Sequence, residues 1–427
     1  MLDIKFIREN KDLVIAGAKK KRISCDIDGL LKLDDKRREL LASIEKKRAE
    51  QNLASEKIAR ETQEKSGTER LAFIANLKIL KESMAHEDEE MKDVMKKWQT
   101  EMVSVPNIPD ISVPEGGSDA DNKEVKTFGD IPSFDFPIKS HTELTEALGL
   151  ADFESGAKIA GFRGYVLMGG GALLSQAIWH YGLNFFTKER KDFTPMIVPS
   201  LARKEVLLGT GYLPQGAEDL YMTQDGDYFS GTAEVGVMGH FADSVIDRAR
   251  LPIKIIAFSP CFRREAGSHG KDTKGLIRVH EFFKLEQVVL CEASHTESVK
   301  YHEEITENAE ALMRGLGLPY RVVVNCGADL GLGQVKKYDI EAWVPSEGKF
   351  RETHSSSYFH DFQSRRLNIR YRDAEGKLRF VHSLNSTALP TPRILVPIIE
   401  NNQQKDGSVV VPEALRLYVG EDVLKSD

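Results

Sequence analysis

From Leu30 to Met102 charged residues alternate with widely spaced apolar ones, and apart from Gly67 the stretch contains neither glycine nor proline. That is helix-forming composition. In its second half Leu77, Met84, Met91 and Trp98 recur every seven residues, with Ile74, Met95 and Met102 at the intervening positions and Lys81 and Asp88 as polar interruptions. This is the seam of a coiled coil. The first half carries the sparser series Leu33, Leu40, Ile44, Ala54 and Ile58, and a helix of about 30 residues spans roughly 45 Å. Between the halves the run Glu61 to Thr68 is polar, and Ser66 followed by Glu69 offers a capping box for a second helix. The pattern predicts an antiparallel two-helix hairpin over about 30–102 with its tip near 61–68. The same heptads also suit a dimerising coiled coil, and periodicity alone leaves the two level.

The pattern dissolves between Val105 and Asp121 into Pro106, Pro109, Pro114, Gly116 and Gly117, which reads as a linker. A helical arm over 1–104, a linker over 105–121 and a second domain over 122–427 follow. In that domain short β-branched runs, Met196 to Val198, Ile253 to Ala257, Val288 to Leu290 and Tyr320 to Val324, mix with helical stretches such as Leu173 to Glu189. They do not alternate with a βαβ period, so the expected class is α+β, a mainly antiparallel sheet flanked by helices.

Composition narrows the function. A length of 427 residues suits two or three domains. The net charge of −7 excludes a globally basic nucleic-acid binder and leaves room only for a local basic patch. Cys25, Cys261, Cys291 and Cys326 are far apart, without a C-x-x-C pair or a His cluster at ligand spacing, so no zinc is expected and reduced thiols are. No apolar run approaches a membrane span and the first 25 residues lack a signal-peptide core, which points to a cytoplasmic protein without a membrane partner.

Phosphate-binding glycine motifs are absent: Gly267 to Asp272 lacks the loop spacing, and Gly331-Leu332-Gly333 lacks a third glycine. Arginines must therefore hold any nucleotide. They are dense between Phe258 and Glu286, a segment that reads as strand, basic glycine-rich loop, strand. The first strand ends in Arg263, Arg264 and Glu265, and the return strand is expected to carry Arg278, Phe282 and Glu286 at even spacing on one face. Guanidinium can pair with phosphate or carboxylate, an aromatic face can stack on a base, and Glu can accept from an ammonium. Taken pair by pair, the same residues suit a hairpin with surface salt bridges.

The run Phe262 to Glu286 resembles motif 2 of the class II aminoacyl-tRNA synthetases, in the form found in seryl-tRNA synthetases. Gly231-Thr232-Ala233-Glu234 resembles the serine-site signature of that family, and the run Tyr338 to Tyr371 resembles the segment leading into its motif 3. Phe193 to Pro199, after a long helix, is similar to its motif 1, which implies a homodimer. The opening Met1-Leu2-Asp3 and the hairpin agree, so the resemblance covers nearly the whole chain. Two blocks depart from it. Asn385-Ser386-Thr387-Ala388, with Pro390 and Pro392 before Arg393, stands where the family reads Asn-Gly-Ser-Gly and Gly-Arg, and His354 stands where it often has serine.

The resemblance implies an ATP-dependent ligase that activates L-serine and charges serine tRNA. Arg263, Arg393 and Glu352 would be catalytic. Arg263, Arg264, Glu265, Arg278, Phe282, Glu352, Thr353, His354, Ser355 and Arg393 would bind ATP, with Glu352 and Ser355 holding Mg²⁺. Thr232, Glu234, Arg263, Glu286, Asn385 and Thr387 would bind serine. On the arm Lys46, Lys47, Arg48, Lys57 and Arg60 would meet tRNA, although each alone equally suits a solvated helix face. Relatives of this domain that load carrier proteins lack a full arm, and a non-catalytic tRNA-binding paralogue would have no use for Arg263, Glu286, Glu352 and Arg393.

Overall fold

The computed structural model describes residues 1–61, 67–267, 270 and 272–426, with the side chains of 57–74 outside the description. The expected tip, the Ser66 to Glu69 capping box, and the side chains of Lys57 and Arg60 therefore lie outside the described residues. The chain divides into two compact units, one formed by Asp3–Ile15 and Ser24–Val105, the other by Met1–Leu2, Ala16–Ile23 and Pro106–Asp427.

The first unit is dominated by helices Ile27–Glu61 and Gly67–Ser104. Their pairing is antiparallel: Lys36 meets Glu90 at 2.9 Å, Ser43 meets Glu87 at 2.9 Å, and Lys47 meets Ser83 at 2.6 Å. Leu40, Ile44, Met84, Val94 and Met102 form the buried seam. Met91 and Met95, expected on this seam, are half-buried, and Val94 beside them is buried. A second device sits at the base, where Asp34, 2% exposed, is held by Arg8 and Arg37 at 2.8 Å each.

The second unit is built on an eight-stranded sheet. Its strands, numbered in chain order, are β1 (Lys123–Phe128), β2 (Thr194–Ile197), β3 (Ile253–Phe262), β4 (Glu281–Cys291), β5 (Tyr320–Val324), β6 (Lys336–Val344), β7 (Lys349–His360) and β8 (His382–Thr391). Their order across the sheet is β1-β5-β6-β7-β8-β4-β3-β2, antiparallel throughout except that β2 runs parallel to β3. Alternation divides each strand between two layers. On β4, Leu285 and Val289 face a core with Leu174, Ile178, Ile305 and Leu312 of helices Gly169–Asn184 and His295–Gly315. Val288 and Leu290 face the opposite layer, with Val237 and Met238 of helix Ala233–His240. Between them the two layers take Leu285, Val288, Val289 and Leu290 of β4 out of water.

The segment expected to be a free linker is packed instead. Pro106, Asn107 and Val113 are buried, and the Asp110 amide donates to the Val335 carbonyl at 2.9 Å. Proline and glycine here shape an irregular path whose backbone groups find partners on the sheet unit, so residues 106–121 belong to it, as do 16–23. Among the described residues no helix is long and apolar enough to cross a membrane, and all four cysteines are free thiols.

Candidate active site

One cavity of about 530 Å³ opens on the face of β4, β7 and β8. Phe282, Lys284 and Glu286, alternate residues of β4, form its floor. The even spacing expected for Phe282 and Glu286 is present, but Arg278 is not part of it. Gly275 takes φ +88° and the chain stays irregular until Glu281, so Arg278 belongs to the loop. There it donates to Glu265 at 2.6 Å and lies 3.4 Å from Asp272, lining a polar pocket that adjoins the cavity together with Glu352 and Arg393. Burial opposes ionisation of Glu265, yet the hydrogen bond and charge of Arg278 outweigh it and hold the carboxyl below its ordinary range.

Two β-bulges set which residues face the cavity. Along β7 the register slips between Ile340/His354 and Glu341/Glu352, leaving Thr353 as the extra residue. Simple alternation would put Glu352 and Ser355 on opposite faces; the bulge brings both to the cavity along with Thr353 and Ser357. Along β8 the slip lies at Ala388, between Leu285/Leu389 and Glu286/Thr387, so Asn385, Thr387 and Pro390 all face inward. The residues before Arg393 thus form a strand, not the stiffened loop that Pro390 and Pro392 suggest, and Pro390 lies opposite Lys284.

At one end Arg263, directly after β3, places its guanidinium carbon 5.3 Å from the centre of the Phe282 ring. Arg393, just ahead of helix Leu395–Asn401, donates to the Ile277 carbonyl at 2.9 Å and lies 4.0 Å from the Glu352 carboxylate. Two cations, an aromatic face and a carboxylate share this end.

At the other end the groups are buried. Glu234, in the first turn of helix Ala233–His240, accepts from Tyr212 at 2.9 Å, Gln363 at 2.7 Å and Asn385 at 2.8 Å. Burial pushes its carboxyl up to about 7, with the charge of Glu286 adding to the rise and the Gln363 hydrogen bond opposing it. Glu286 is likewise raised by burial, against the pull of Lys284, whose ammonium lies 2.7 Å away and also donates to Thr232 at 2.9 Å. When both carboxyls are ionised, the pair exceeds its one internal cation by one charge, which suits a small ammonium ligand.

Besides Arg278, three predicted ATP- or serine-site residues are not at the cavity. Thr232 is the N-cap of helix Ala233–His240, 2% exposed, and acts through Lys284. Arg264 is exposed, with its amide bonded to the Asp219 carbonyl. His354 is buried behind β7, with Nε2 3.0 Å from the Ala388 carbonyl, and burial lowers its pKa to about 4. The two departures in sequence thus meet, histidine supporting the bulge. On the arm Lys46 is exposed, whereas Lys47 pairs with Glu87 at 2.9 Å and Arg48 with Asp88 at 3.4 Å.

Lys284, Tyr212 and Gln363 are not among the residues the sequence singles out. Lys284 had a signal, its place midway between Phe282 and Glu286; Tyr212 and Gln363 had none, being brought to Glu234 by the fold. For a metal, Glu352 and Ser355 supply hard oxygens beside two arginines, and among the described residues no group of three or more His, Cys, Asp or Glu could hold an ion. Such a donor set fits a cation that brings ligands on a phosphate chain.

Residues 1–109 match the seryl-tRNA synthetase N-terminal domain, and residues 222–402 match the class II tRNA synthetase core domain of the G, H, P, S and T enzymes. A serine-tRNA ligase of Deinococcus radiodurans is 42% identical over 98% of both chains, and one of Caldicellulosiruptor saccharolyticus is 43% identical over 100% of both. Among solved structures, seryl-tRNA synthetase from Pyrococcus horikoshii, complexed with ATP, superimposes with a TM-score of 0.90 at 36% identity over 100% of both chains. The cytoplasmic enzyme of Naegleria fowleri, in complex with AMP, gives 0.85 at 29% identity over 100% of this chain and 99% of that one. With both domain models matched and relatives aligned along its whole length, the chain belongs to the seryl-tRNA synthetase family.

Proposed function

We propose that the protein is an ATP-dependent serine-tRNA ligase. The serine carboxylate attacks the α-phosphorus of ATP, the bond to the bridging oxygen breaks, and pyrophosphate leaves. A terminal ribose hydroxyl of serine tRNA then attacks the adenylate carbonyl and AMP departs. The observation that carries this reading is one cavity with an arginine-aromatic end and a buried, anionic end.

At the first end Phe282 stacks on adenine, Arg263 meets the α-phosphate as its charge develops, and Arg278 and Arg393 hold the distal phosphates. ATP would displace Glu265 and Asp272 from Arg278. Glu352 and Ser355 would hold Mg²⁺ arriving with the nucleotide, an ion that neutralises phosphate charge when bound. At the second end Glu234 and Glu286 receive the serine ammonium and hydroxyl, and Thr387 and Asn385 close around the side chain. A site that hydrogen-bonds a hydroxyl rejects alanine by leaving its own polar groups unpaired.

The tRNA backbone would meet the helix Ile27–Glu61, whose candidates by sequence are Lys46, Lys47, Arg48, Lys57 and Arg60, with Lys46 exposed. The protein forms a homodimer through the edge strand β2, where Ile197 is 83% exposed. It works in the cytoplasm, with ATP and tRNA.

The test is serine-dependent exchange between ATP and labelled pyrophosphate, with Arg263→Ala beside the unmodified protein. Arg263→Ala should suppress exchange far more than it weakens serine binding. Near-normal exchange in that variant contradicts the assignment. Exchange without charging of serine tRNA redirects it to another acceptor.

A further inference from the structure

Lys21 is 3% exposed, yet among the described residues it has no carboxylate within ion-pair distance. Its ammonium donates to three carbonyls, those of Gly331 and Leu332 at 3.0 Å and of Gln334 at 2.5 Å. The side-chain amide of Asn107, also buried, donates to the intervening Gly333 carbonyl at 3.0 Å and to Phe359 at 2.8 Å. Its backbone amide donates to Leu332 at 2.9 Å. Four successive carbonyls are thereby held from behind by two residues. All four of their residues, Gly331 to Gln334, line the cavity.

Burying a cation among neutral acceptors is costly, and that cost is offset only because the same ammonium satisfies three carbonyls, which an apolar side chain could not do. What the ammonium supplies and a methyl cannot is a fixed direction for three carbonyls. The held segment in turn touches the anionic end of the cavity. The Gln334 amide donates to Ser357 at 2.8 Å, Ser357 lies opposite Asn385 in the sheet, and Asn385 donates to Glu234. Gly333 packs so closely under Phe362 that an added Cβ would come within 2.7 Å of the ring, and the next residue, Gln363, also holds Glu234.

We propose that Lys21, seconded by Asn107, is a positioning residue for the amino-acid end of the cavity: it fixes the 331–334 wall against which Ser357, Asn385 and Glu234 are arranged. This rests on the assignment of that end to serine. Lys21 comes just before the long helices in the chain and Asn107 just after them, so the residues that connect the arm to the sheet unit also brace the serine pocket.

The experiment uses the full chain and Lys21→Ala, with KM for serine and for ATP read separately in pyrophosphate exchange. Serine KM should rise about tenfold, the order expected when buried polar groups lose a partner, while ATP KM stays within about twofold. Methylammonium chloride, compared with equal sodium chloride, should restore part of the loss by re-entering the space the side chain left. If Lys21→Ala does not fold, Asn107→Ala is read by the same two KM values, without the methylammonium comparison. An unchanged serine KM, an equal rise for both substrates, or rescue by sodium as good as by methylammonium overturns the inference. Absence of exchange in the unmodified protein overturns the proposed function and this inference with it, whereas exchange in that protein alongside a flat response in the variant overturns this inference alone.

Discussion

Replacing Lys284 with Met would remove the ammonium that lies 2.7 Å from Glu286 in a place where the two residues are 6% and 1% exposed. At that separation the attraction is about 6 kcal/mol for an effective dielectric of about 20, and the recovered solvation of the lysine offsets part of it. A net loss of about 3 kcal/mol at neutral pH is expected, at the low end for a buried pair broken on one side. The loss has a pH signature. Burial already raises the Glu286 pKa against the pull of Lys284, and without Lys284 the rise is larger. The native variant then keeps a proton that the unfolded chain releases above about pH 4.3, so its deficit grows as pH rises through that window and fades as pH falls toward it. Denaturant midpoints of wild type and Lys284→Met, taken at about pH 5 and about pH 8, should differ more at the higher pH. Adding Glu286→Gln should recover most of the loss, because removing both charges costs less than stranding one. A deficit that does not vary with pH, or a coupling energy within about 0.5 kcal/mol of zero, refutes the pairing.

Glu234, raised to about 7 by burial, should make kcat/KM for serine climb with pH through that value as the carboxylate forms to receive the ammonium, and Glu234→Gln should flatten the climb along with lowering it. Thr387→Ser should relax exclusion of threonine by about 1 to 2 kcal/mol, read as the ratio of catalytic efficiencies for the two amino acids in adenylate formation; an unchanged ratio means that the methyl points away from the side-chain space. Joining Ile23 to Pro106 through a short glycine bridge, which deletes the long helices but keeps Lys21 and Asn107, should preserve serine-dependent exchange and abolish tRNA charging. A chain beginning at Asn122 should instead lose activation as well, because four pocket carbonyls would have lost their donors.

Where local periodicity decides the structure, the sequence was legible. Leu40, Ile44, Met84 and Met102 mark a helix pair because each helix buries one stripe, and Phe282 and Glu286 share a face because a strand alternates. Other features hang on contacts between distant parts of the chain. Nothing in Thr353 or Ala388 marks a bulge; each becomes one only through the register of the neighbouring strand, and each changes which residues reach the cavity. The prolines and glycines of 105–121 break regular structure, which composition reveals, but whether an irregular segment hangs free or packs depends on partners such as the Val335 carbonyl, which accepts from Asp110. Lys21, in a run of four basic residues from Lys19 to Arg22, is indistinguishable in sequence from a solvated lysine.

The 310 residues between Lys21 and the first carbonyl it grips also have a meaning in time. Synthesis at about 5 to 20 residues per second puts Gly331 roughly 15 to 60 s behind Lys21. The helix pair, made of local contacts, can form while the ribosome is still working on the sheet unit. Lys21 cannot dock until β6 and the residues before it have emerged, so through that interval its charge stays hydrated on a nascent chain. Docking of the N-terminal segment is therefore a late event in biogenesis, and the cavity wall at 331–334 acquires its donors only after the arm has long been folded.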